Sequence, residues 1–250
     1  MFPLTFPPPI TEPAAVAESY YAYCDGAIFS MADLLLAITN GMVNQQIPYS
    51  QLPADEWRDC SGNFLRLSSY LASICPGSEP YLAAPPGISD YEPGGPNAAG
   101  LEAAARSTRG LARWYHDQGR FVPIWYDDAQ APAQAPSDLE ALRHLIKPGA
   151  VLWFSHGRPT QDGGLAQLFV RNDAHNHISH MGTVVGVEHD GDRQVIGYAM
   201  YHGRNVNKLA SITLGHRYEG SGQRPPLGHG SQRLVGIGAL LPIAPPPEDP

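Results

Sequence analysis

Asp59-Cys60-Ser61-Gly62-Asn63-Phe64-Leu65-Arg66-Leu67-Ser68-Ser69-Tyr70-Leu71-Ala72-Ser73-Ile74 is the stretch on which the reading of this chain turns. Phe64, Leu67, Leu71 and Ile74 recur at helical spacing and form one apolar face. Cys60 therefore stands where a helix begins. Unpaired backbone N–H groups and the positive end of the helix dipole there favour thiolate over thiol. That makes Cys60 a candidate nucleophile; the bland alternative is an inert cysteine packed at a helix start. Asp59 reads equally as an N-cap or, with Ser61, as a group that binds a substrate amine.

A nucleophile needs a base, and His180 is the candidate. It opens the β-branched run Met181-Gly182-Thr183-Val184-Val185-Gly186-Val187-Glu188, which predicts a strand. Asp190-Gly191-Asp192 marks a turn, and Gln194 to His202 predicts a second strand, giving a hairpin with a histidine near each open end. A three-residue loop pairs position 189 with 193 and hence His180 with His202, with both imidazoles on one face. A two-residue loop sends His202 to the other face. His202 is thus the candidate that orients His180.

Taken together, Asp-Cys-Ser-Gly at a helix start, a later strand opening His-x-Gly and a histidine on the next strand resemble the NlpC-type cysteine peptidases, relatives of papain. Ile47-Pro48-Tyr49 lies where that family carries a tyrosine before its nucleophile, and Leu145 to Phe154 resembles its Leu-x-Pro-Gly-Asp strand. The matched segments, about 47–75, 145–154 and 178–203, cover under half the chain. The chain departs from the pattern at Ala150, in lacking a Gly-Gly after Tyr49, and in longer spacings after Cys60 and His180. The resemblance implies an α+β, papain-like fold with the nucleophile helix packed on an antiparallel sheet and large insertions. It also implies a Cys60–His180–His202 triad that hydrolyses an amide in a bacterial cell-wall stem peptide, typically the bond from D-Glu to the diamino acid. The Cys60 N–H and the Tyr49 hydroxyl would hold the oxyanion, Asp59 and Ser61 would line the substrate site, and neither a metal nor an organic cofactor is needed; Trp57, three residues before the thiol, is by position the tryptophan expected in the pocket. An acyltransferase or a deamidase on the same fold is the alternative.

The rival chemistry is metal-based. His175-Asn176-His177-Ile178-Ser179-His180 has ligand spacing, with His156, Asp162 and Asp173 as further donors. It leaves Asp-Cys-Ser-Gly unexplained. The remaining histidines, His189, His216 and His229, fall in turn or glycine-rich contexts and read as surface residues.

Composition narrows the classes. A chain of 250 residues with 43% hydrophobic content builds a full core. A net charge of −8 with no cluster of Lys and Arg argues against nucleic acid and anionic membranes. The longest apolar stretches, such as Met31 to Ile38, are too short to span a bilayer. The start of the chain shows no secretory signal. Synthesis in the cytoplasm and action in the periplasm or outside the cell, after delivery by dedicated machinery, is therefore the expectation. An antibacterial effector with an immunity protein, or a lysin, fits it.

Along the chain, residues 1–13 and 242–250 are Pro-rich flanks of one elaborated domain, 14–241. Helices are expected at 14–24, 30–39, 98–118 and 137–146. Strands are expected at 121–125 (an edge, because of Pro123), 151–154, 165–170, 180–188, 194–202 and 234–241. Residues 76–97 read as a rim loop over the site, and 215–232 as a long loop. Three cysteines leave one unpaired; Cys24 and Cys75 read as buried free thiols, with a disulfide as the alternative.

Overall fold

The computed structural model describes residues 20–24, 27–44, 59–75, 107–126, 142–157, 165–170, 177–192, 194–204, 208–217 and 224–240. Its elements in chain order are β1 (Tyr21–Cys24), β2 (Ala27–Ser30), α1 (Met31–Asn44), α2 (Cys60–Ile74), α3 (Thr108–Asp117), β3 (Val122–Pro123), β4 (Ala150–Ser155) and a single helical turn α4 (Ala166–Phe169). The strands β5 (Ile178–His189), β6 (Val195–Arg204), β7 (Lys208–Arg217) and β8 (Arg233–Ala239) follow. Helices come early and an antiparallel sheet late: the fold is α+β. Among the described residues no helix is long and apolar enough to cross a membrane.

The main sheet runs in the order β3-β8-β4-β5-β6-β7, every pairing antiparallel. β4 lies inside it, and each of its residues is buried, so an unbroken Ala-Val-Leu-Trp-Phe-Ser run replaces alternation. Trp153 meets Tyr115 edge-on, with ring centroids 4.9 Å apart, and lies 5.2 Å from Phe121. These contacts pack α3 onto the sheet. Pro123 sits on the edge strand, as its missing N–H requires.

Helix α2 forms where its apolar spacing predicts. Phe64, Leu67 and Leu71 are buried, Ile74 half so, and the helix packs on β5 and β6. Asp59 caps it: one carboxylate oxygen accepts the Gly62 N–H at 2.7 Å and the Ser61 hydroxyl at 2.9 Å. Tyr201, from β6, points at the helices and donates its hydroxyl to Asn63 Oδ1 at 3.1 Å. Two residues on, Gly203 passes directly beneath the helix start. A Cβ there would stand 2.7 Å from the Asp59 carbonyl carbon and 2.8 Å from the Cys60 nitrogen, so only glycine admits the contact.

Several expectations are corrected. Tyr21–Cys24 is a strand rather than a helix end, because it pairs antiparallel with β2, Cys24 opposite Ala27. Residues 166–169 are a helical turn rather than part of a strand. β7 extends the sheet through Arg217, into the region expected to be loop; Pro225-Pro226 marks only its later part. Cys24 and Cys75 form a disulfide, with Cα atoms 4.5 Å apart, tying β1 to the end of α2; chain folding brings together two thiols that are far apart in sequence. The rim loop 76–97 and helical positions 14–19, 98–106 and 137–141 lie outside the described residues.

Candidate active site at the start of helix α2

His180 Nε2 and His202 Nδ1 are 3.1 Å apart, their rings perpendicular. The route to this contact differs from the expected one. His189 pairs with Val195, and Thr183 with Tyr201, so His202 falls beside Gly182 and is the diagonal neighbour of His180 rather than its direct opposite. Asp190 sets that register, accepting the Gln194 N–H at 2.8 Å and the Asp192 N–H at 3.0 Å. The displacement from the expected pairing is two residues. Because side chains alternate with a period of two, both histidines still share a face. Bulges at Val185 on β5 and Ile196 on β6 offset one another.

Cys60 is the first residue of α2, is partly buried, and is the free thiol among the described cysteines. The backbone amides of Met181, Ser61 and Cys60 itself are directed at its sulfur. The Met181 N–H belongs to the peptide bond that follows His180, so the thiol packs against the base candidate's own main chain. Among the described residues no hydrogen bond joins Cys60 to His180. The His180 ring contacts are His202, His229 and Phe154.

Electrostatics corrects the expectation of a readily ionised thiol. Burial pushes the Cys60 thiol up to about 12, and the Asp59 carboxylate adds to the rise. The three amides pull the other way and lose. Burial, and then His202, His229 and His216, hold His180 well below 6.5, the ordinary value. Thiol and imidazole therefore both rest neutral.

Two histidines assigned to the surface belong here instead. His216 is buried, stacks on Tyr198 with centroids 4.6 Å apart, and has Nε2 3.0 Å from His229 Nδ1. His229 stacks on His180 at 4.6 Å. The glycine-rich context concealed them; a turn anchored by the Tyr198 hydroxyl on the Leu227 carbonyl, at 2.6 Å, folds back over the sheet. Among the described residues the ligand-capable groups that converge are His180, His202 and His229. His177 is buried outside that group, while Tyr49, Trp57, Asp162, Asp173 and His175 lie outside the described residues. His189 is exposed at the hairpin tip, as expected. Asp59 and Ser61 are engaged with each other in the helix cap.

No protein-family model matches the chain, and neither do curated proteins or solved structures.

Proposed function

We infer that the protein is a papain-like thiol amidase in which Cys60 attacks, His180 moves the proton and His202 orients His180. One observation carries the reading: the His180 Nε2–His202 Nδ1 contact stands at the strand end whose next amide faces the Cys60 sulfur. With Nε2 turned to His202, Nδ1 is the nitrogen that serves the thiol. At rest His202 Nδ1 also faces the Gly203 carbonyl oxygen at 3.1 Å, an acceptor only, so the proton between the rings sits on His202; catalysis requires it to pass to His180 Nε2 and free His180 Nδ1.

As sulfur attacks an amide carbonyl, its proton passes to His180 Nδ1, and His180 then protonates the leaving amine. Water, deprotonated by the same nitrogen, releases the acyl group. Because thiol and imidazole both start neutral, proton transfer accompanies attack instead of preceding it. Catalytic hydrogen bonds commonly tighten only with substrate bound, which reconciles this role with the resting contacts of His180. The Cys60 N–H, which faces its own sulfur at rest, would turn to the oxyanion as it forms.

The cell-wall stem peptide as substrate rests on the sequence resemblance. Mass spectrometry of peptidoglycan fragments incubated with the protein, with Cys60→Ala and with a chelator tests it. Release of a defined peptide that requires Cys60 and tolerates chelator supports the thiol amidase. Transfer of the acyl group to an added amine identifies an acyltransferase, and cleavage that survives Cys60→Ala but stops with chelator overturns the assignment.

A further inference from the structure

The thiol chemistry uses His180 and His202 but not His229. That residue comes from the 224–232 loop, and one ring nitrogen from each of the three lies within 4.8 Å of the others. We propose that His180, His202 and His229 form a binding site for a divalent transition-metal ion, Zn2+ foremost, whose occupation switches the thiol chemistry off.

Three neutral imidazoles are a donor set that Zn2+ accepts, with water completing the tetrahedron. Nitrogens bound to one tetrahedral ion at 2.0–2.1 Å stand about 3.3 Å apart. The His180–His202 pair, at 3.1 Å, already has that separation, so an ion takes the place of the proton between them. His229 completes the set by rolling its ring off the face of His180.

Its approach is steered. His216 holds His229 through Nδ1, so His229 ligates through Nε2, and an outer partner of this kind fixes the tautomer and strengthens the ligand. The loop that presents His229 is also built. His229 and Gln232 exchange backbone hydrogen bonds of 3.0 and 2.9 Å, the Gly228 N–H donates to Pro225 at 2.9 Å, and Tyr198 pins Leu227. A site from two strands and a tied-down loop is largely formed before the ion arrives.

The switch follows from proton bookkeeping at one ring. When His180 Nε2 and His202 Nδ1 both give lone pairs to the metal, the proton between them moves to His202 Nε2, His180 keeps its proton on Nδ1, and no net proton is released. His180 then has no lone pair to accept the thiol proton. This consequence rests on the thiol-amidase reading; the binding itself does not.

Calorimetric titration of the full chain with Zn2+, and visible absorption with Co2+, tests the site. The wild type, Cys60→Ala and His189→Ala should each bind one ion with tetrahedral Co2+ bands. His216→Ala should weaken binding about 10–100-fold, as loss of an outer partner does. His229→Ala should weaken it further, with His229→Gln replacing it if the alanine variant fails to fold by circular dichroism. No binding by the wild type, binding unchanged in both His229 and His202 variants, or binding lost with Cys60→Ala overturns the site. These readouts need no catalysis, so they stand if the amidase reading fails. A confirmed amidase that ignores saturating Zn2+ overturns the switch alone.

Discussion

His180 and His202 touch through Nε2 and Nδ1 at 3.1 Å although neither is the other's cross-strand partner. Their contact depends on face, not on direct opposition, and face is conserved under any even shift of register. The hairpin therefore tolerates a turn longer than the minimum while still joining the two rings. The chemistry of Cys60 depends on how the start of α2 meets the end of this hairpin.

The thiol should behave as a buried, neutral group. Alkylation of Cys60 by iodoacetamide is expected to rise about tenfold per pH unit from pH 6 to 9, following the thiolate fraction. Asp59→Asn keeps a good N-cap but removes the charge that raises the thiol, so it should speed alkylation at every pH in that range. A plateau below pH 7 in the wild type would refute this.

Gly203 should not accept a side chain. In Gly203→Ala the new methyl meets the backbone of Asp59 and Cys60, which cannot turn aside as a flexible side chain would. A loss of about 1–3 kcal/mol is expected in urea unfolding, with thiol reactivity altered because the start of α2 is displaced. Gly191→Ala, where nothing lies close, is the matched control.

The disulfide should carry much of the stability. Cys24 and Cys75 are 51 residues apart, and a cross-link over a loop of that length constrains the unfolded chain by about 2–4 kcal/mol. Cys24→Ser with Cys75→Ser should lower the denaturation midpoint accordingly, and reductant should reproduce the shift in the wild type alone.

Acid should destabilise the protein through His180. Its pKa is lowered on folding, so as pH falls below about 6.5 the unfolded chain takes up a proton that the folded state refuses. The denaturation midpoint should be level from pH 7.5 to 9 with respect to this group and decline below 6.5. His180→Asn should flatten that decline; an unchanged slope would assign it to other groups.

Helix α2 was legible because its apolar repeat and cap are local: Asp59 needs only Gly62 and Ser61 to act. The strands carrying His180 and His202 were equally plain from β-branched runs. Tyr21–Cys24 misled because a strand that short owes its state to its partner β2, and β7 was missed because its residues straddle a glycine-rich region.

By itself the sequence determined the helix that Cys60 begins, the histidine-bearing hairpin and the edge strand at Pro123, since each follows from a repeat, a cap or a missing N–H within a few residues. Only the tertiary structure decided the Cys24–Cys75 bond, the gathering of His216 and His229 around His180, and the rise of the Cys60 thiol to about 12. Those depend on which distant segments exclude water from one another. In the sequence a helix N-terminus favours a thiolate; in the fold, burial outweighs it.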